Sequence, residues 1–333
     1  METFNTKLFM EKARAAVSGK NVRRVAALHA GVVVAAGFLV TLLQYALAEG
    51  IGNTSGLSGM GTRAILETGQ TVLQWANMVL VPFWNLGFLF VALQWARGNL
   101  AGNRDLLKGF QRIGPCLGLL VNRFLIMFAA MFLSAYACTG IYMTMPASAP
   151  LMELATASGG DMDVFYASLE QMDFTALMGT AAPLLILWGC LSLVLLVPLL
   201  YRFRFAEFAI LNHQGVRGLP AMLISAALLR RRCWQLFKLD LRFWWYYGLK
   251  VLCMLLAYGD LLLTLMGVAL PFGGEAAGLI FYLLYLLGLF AVETLCRPLV
   301  ETAYAAAYEA AMETGPVPKK TQSIPQNVPW DET

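Results

Sequence analysis

Apolar residues in this chain fall in long blocks rather than in alternation. Six blocks, at about 25–47, 71–96, 113–136, 177–201, 243–265 and 276–297, carry very few charges. Each is long enough to cross a bilayer, since a helix rising about 1.5 Å per residue needs roughly 20 residues to span about 30 Å of hydrocarbon. The pattern predicts an all-α fold: a polytopic helical membrane protein with six transmembrane helices over 25–312. Two other segments carry amphipathic patterns. In residues 1–24, Phe4, Leu8, Phe9 and Ala13 share a helical face against a basic one, which suits an interfacial helix ended near Gly19. In the helix after Pro220, Leu219, Leu223, Ala226 and Ala227 share a face and an arginine triplet ends it.

The first block poses a processing question. Ala46-Leu47-Ala48 before Glu49 resembles a signal-peptidase site. The block is longer than the usual signal core of about 7–15 residues, so it reads as a retained span. Proline falls inside two of the spans, at Pro82 and Pro183, and at the end of one, Pro198. A proline there removes a backbone donor and kinks a helix.

Composition agrees with the blocks. Of 333 residues, 59% are hydrophobic and 13% charged, with a net charge of +4. Soluble domains carry about 25% charged residues. The distribution of charge matters more than its sum. The segment 202–242 holds Arg202, Arg204, Arg217, Arg230, Arg231, Arg232, Lys238 and Arg242 against only Glu207 and Asp240. Residues 1–24 and 97–112 are likewise basic. The loop 144–175 holds Glu153, Asp161, Asp163, Glu170 and Asp173 and no base. By the positive-inside rule both termini, the short loop 97–112 and the loop 202–242 lie in the cytoplasm, and 144–175 is the outer loop. In that loop Asp161 or Asp163 is placed to cap a helix lined by Phe165, Leu169 and Met172. Residues 313–333, rich in proline, read as a disordered tail. The implied location is a cell membrane crossed several times, with the basic segments on its cytoplasmic side.

Candidate chemistry is sparse. The cysteines lack C-x-x-C spacing, and His29 and His213 have no partner pattern, so neither metal nor cofactor is expected. H-E-x-x-H, Walker, G-x-S-x-G and dinucleotide patterns are missing, which disfavours an enzyme. Arg230, Arg231, Arg232, Lys238 and Arg242, with Trp244 and Trp245 in an aromatic belt, suit membrane anchoring or an anionic-lipid site rather than nucleic acid. Charges inside spans are the other candidates: Arg123, Lys250, Asp260 and Glu293. Asp260 lies far enough along its span to reach the outer interface. Lys250 and Glu293 lie at about the same depth, roughly 10 Å, on spans joined by a tight turn. They are expected to form an interhelical ion pair, with Arg123 as a third member.

With these residues in view, the chain resembles a large family of uncharacterised bacterial integral membrane proteins defined by a domain of unknown function. The likeness covers most of the chain outside the long outer loop and the tail. It is carried by Leu93–Gly98 and Asp105–Phe110, then by Ala221, Ser225 and Leu228-Leu229, by Phe237–Trp245, and by Pro298–Glu309 with Tyr304 and Tyr308. Arg231-Arg232 and Arg242-Phe243 depart from the family's Lys-Gly and Ser-Phe. The resemblance implies a helical membrane protein and brings no activity with it. Three functions are therefore open: a non-enzymatic protein engaging lipid or partner proteins through its basic face, a small-solute or lipid transporter built on a repeated helix hairpin, and a membrane enzyme.

Overall fold

The computed structural model describes residues 4–53, 60–164, 167, 174–213, 215–265 and 274–314. Among them are thirteen α-helices. They are α1 (Thr6–Val17), α2 (Lys20–Asn53), α3 (Met60–Ala96), α4 (Ile113–Tyr142), α5 (Ala149–Ala157), α6 (Phe174–Arg202) and α7 (Ala206–Asn212). They continue with α8 (Gly218–Leu229), α9 (Cys233–Arg242), α10 (Trp244–Ala257), α11 (Gly259–Leu265), α12 (Gly274–Leu295) and α13 (Arg297–Thr314). A 3-10 helix, Asn103–Arg112, joins α3 to α4.

Five helices, α2, α3, α4, α6 and α12, are long and apolar enough to cross a membrane. The expected span at 243–265 departs from the pattern. It is two pieces, α10 of 14 residues and α11 of 7, offset at Tyr258. Periodicity sees only an apolar run there. At the break the Gly259 backbone lies against the Phe281 ring: a Cβ at Gly259 would come within 2.4 Å of it.

The centre of the fold is α13. Pro298 occupies its second position, where no backbone donor is needed. Ala303, Ala305, Ala306, Ala307 and Ala311 let neighbours approach closely, and Tyr304 and Tyr308 fill the space between them. Around this post stand α1, α2, α3, α8 and α12. The amphipathic face expected of the N-terminal segment is real, and its buried residues, Phe9 and Ala13, belong to a helix packed against α13. Asn5 caps that helix, its Oδ1 accepting from the Lys7 N–H at 3.0 Å.

Two backbone crossings lock this end. A Cβ at Gly109 would meet the Phe83 carbonyl oxygen at 2.2 Å, and one at Gly87 would meet that of Leu106 at 1.8 Å, so α3 and the 3-10 helix touch backbone to backbone. Gly218, the first residue of α8, meets Gly118 of α4 in the same way, at 2.2 Å. Small residues at helix crossings serve this purpose in membrane bundles.

Away from the basic end the helices separate into two groups. In one, α4 pairs with α6: Tyr142 Oη donates to the Thr180 carbonyl at 2.8 Å, and Ser134 and Ser192 share a hydrogen bond of 2.9 Å. The main contacts of this pair outside itself are with the 3-10 helix, α7, α8 and α9. In the other, α2 packs between α3 and α12, and α12 packs on α10. Tyr282 Oη donates to Thr41 Oγ1 at 2.9 Å across α12 and α2.

In the acidic loop, α5 is followed by Asp161, whose Oδ1 accepts from the backbone N–H of Asp163 at 2.9 Å. Asp161 is thus the capping residue of the two candidates. Phe165, Leu169 and Met172, the face expected for the next helix, lie outside the described residues, as do the tail from residue 315 on and the side chain of Asp260.

Candidate functional site

The last turn of α12 and the first of α13 carry charge at i, i+4 and i+8: Glu293, Arg297 and Glu301. That spacing puts all three on one helical face, and the break at Cys296 does not disturb it. Glu293 is buried and takes two cations. Lys250 Nζ of α10 lies 2.6 Å from its Oε1, and Arg297 Nη1 lies 2.9 Å from its Oε2. Tyr246 Oη donates to Oε1 at 3.5 Å. Arg297 turns its other terminal nitrogen to Asn85 Oδ1 of α3, at 3.0 Å, and its Nε stands 3.7 Å from Glu301.

The structure therefore brings Lys250 and Glu293 together, but the third member is Arg297, not Arg123. Arg123 sits on α4, which meets the rest of the molecule chiefly through its basic-end neighbours, and its Nη1 lies 3.2 Å from Glu207 of α7. The i, i+4, i+8 spacing was the signal for Arg297. It is easily missed, because Arg297 stands at the span boundary and reads as one more flanking base.

Arg204 comes from the turn between α6 and α7. Its guanidinium stacks 4.4 Å over the Tyr304 ring. Burial disfavours its charge, but Glu301, then Tyr247, Glu207 and Asp240 outweigh that and hold its pKa above the ordinary value. Arg204, Glu207, Arg297, Glu301, Asn85 and Cys116 all border one cavity of about 280 Å³, walled otherwise by leucines of α3 and α4 with Pro82 and Phe208. A second cavity, of about 500 Å³, lies between α2, α3 and α12 and is bordered by Thr41, Gln44, Gln74, Asn77 and Tyr282. Gln74, Asn77, Val81 and Asn85 fall within one narrow sector of α3. Val81 borders the second cavity and Pro82 the first.

The basic surface divides. Arg230 and Arg231 are exposed. Arg232 is tied down: it donates to the Ala311 carbonyl at 3.2 Å and to Thr314 Oγ1 at 2.8 Å, and lies 5.6 Å from the Phe4 ring centre. On α9, Trp234, Phe237 and Leu241 face outward at helical spacing, while Leu236 and Leu239 are buried. Trp234 stacks on Phe237 at 5.1 Å, with exposed Lys238 beside it. Trp244 continues the exposed strip; Trp245 and Arg242 are half-buried. Asp240, the one acid of α9, accepts from Tyr247 Oη at 3.1 Å and from Tyr201 Oη.

Among the described residues no three of His, Cys, Asp and Glu converge as a metal site. No protein-family model, curated protein or solved structure matches this chain.

Proposed function

We propose that this is a non-enzymatic, multi-pass protein of a bacterial cytoplasmic membrane that engages anionic lipid headgroups through its basic end. In this reading the protein crosses six times, with α10 and α11 together making the fifth crossing and both termini in the cytoplasm. The observation that carries it is α9. A helix that exposes Trp234, Phe237 and Leu241 beside Lys238, Arg230 and Arg231 is built for the boundary between headgroups and acyl chains. Nucleic acid fits poorly, because the exposed bases alternate with exposed apolar rings next to long apolar helices.

Native mass spectrometry of the full chain tests this. Retained anionic lipid is expected, and it should be lost when Arg230, Arg231 and Lys238 become Gln. Equal retention by parent and variant overturns the reading. Arg232 is left out because it anchors α13. Reporter fusions at Thr333 and within 158–163 should report opposite sides of the membrane.

A second reading, a transporter of small polar solutes, is favoured by one observation: two polar-bordered cavities lie on either side of Val81 and Pro82 along α3. Discontinuous helices and midplane polar sites accompany transport.

A further inference from the structure

The charged groups around the 280 Å³ cavity are unequally satisfied. Arg297 uses its two terminal nitrogens on Glu293 and Asn85. Glu207 receives Arg123. Among the described residues, Arg204 has no hydrogen-bond acceptor and no carboxylate within 4.0 Å; its contact is the face of Tyr304. Glu301 accepts no hydrogen bond, because its nearest cation, Arg297 Nε, stands at 3.7 Å. That Nε is itself a buried donor without a partner. One cation and one carboxylate, both bordering the cavity, are thus left with unused capacity. Both groups are partly buried and border the cavity, and a guanidinium offers five donors in a fork shaped for a carboxylate.

We infer that this cavity is a binding site for a small zwitterion of the α-amino-acid type, its carboxylate on Arg204 and its ammonium on Glu301 and the free oxygen of Glu207. A simple anion would satisfy Arg204 but face two carboxylates. A simple cation would satisfy Glu301 but face Arg204. Only a molecule carrying both charges answers both, and the charges lining the cavity already balance, two arginines against two glutamates. The volume falls just below the usual range of ligand sites, which run from about 300 Å³, so only a very small molecule fits. Apart from Asn85 and Cys116 the remaining wall is apolar, with Leu86, Leu119 and Phe208 buried around it. The side chain accepted is therefore small and neutral.

The site rests on the second reading only for its consequence, movement of the solute across a membrane. The test is equilibrium binding of radiolabelled L-alanine to the full chain in lipid nanodiscs. Saturable binding is expected, displaced by glycine and L-serine but not by acetate or methylammonium at equal concentration. Arg204→Gln and Glu301→Gln should each weaken it about 10- to 100-fold. Arg204→Lys should recover part of the loss, because the charge returns without the fork. Should Arg204→Gln fail to fold, Glu301→Gln and the displacement pattern of the parent decide. No saturable binding at millimolar L-alanine, displacement by acetate alone, or unchanged affinity in a folded Glu301→Gln variant would each overturn the site. Saturable binding without uptake into proteoliposomes would keep the site and discard transport.

Discussion

The two ends of this molecule are built on different principles. At the basic end most of α13 is buried, and no residue in the last four turns of α3 is exposed. At the other end the same α3 exposes Ile65, Val72 and Trp75, and α6 has an 18-residue apolar window with no buried residue at all. Water can drive burial only where water is the alternative. Among acyl chains an apolar side chain gains little by leaving lipid for protein, so close backbone approach and polar contacts must do the holding. The basic end has both. The far end has a few hydrogen bonds between helices whose outward faces are apolar.

The sharpest way to break that contrast is to add volume. Gly218→Leu and Gly109→Leu put a side chain where neighbouring backbone already stands, and the folded yield should collapse. Gly140→Leu and Gly189→Leu, on α4 and α6 with nothing within 4 Å, should leave yield unchanged. Yield of monodisperse protein in detergent reads all four. Equal losses at both ends would mean that the far end is as tightly packed as the basic end.

The charged seam comes next in size. Arg297→Met leaves Glu293 buried with the half-exposed Lys250 as its one cation, and should cost about 3–5 kcal/mol. Lys250→Met leaves Arg297 in place, and the lysine is 38% exposed, so about 1 kcal/mol or less is expected. The double exchange Lys250→Glu with Glu293→Lys should restore little, because it sets the new lysine beside Arg297. Full restoration would show that Arg297 is not a partner of Glu293. Detergent-resistance or thermal-unfolding curves rank the three.

The smallest effect is at the far end. Ser134→Ala and Ser192→Ala each remove one hydrogen bond between α4 and α6. Intramembrane bonds of this kind average about 0.6 kcal/mol, so thermal unfolding should shift only slightly. A large loss from either would move the α4–α6 pair from the loosely held class into the locked one.

Much of this was legible along the chain. The apolar blocks at 25–47, 71–96, 113–136, 177–201 and 276–297 sit inside α2, α3, α4, α6 and the α12–α13 junction, because length and hydrophobicity are local properties. The pairing of Lys250 with Glu293 was within reach for a related reason: equal depth on adjacent helices is a matter of counting residues. Arg123 went astray because depth says nothing about which neighbour a helix faces.

The sequence by itself determined which segments are helical and apolar, where the basic charge lies, and that two opposite charges share one depth. Each follows from residue type and from a rise of about 1.5 Å per residue. Only the tertiary structure decided that α13 stands at the centre, that Arg232 is a clamp while Arg230 and Arg231 remain exposed, and that Arg204 and Glu301 border one cavity. Those outcomes depend on which helix faces meet, and here the glycines set the meeting: Gly87 with Gly109 and Gly118 with Gly218 allow backbones to touch. A glycine reads the same in any sequence, whether it lies against a neighbouring backbone or, like Gly140, against nothing.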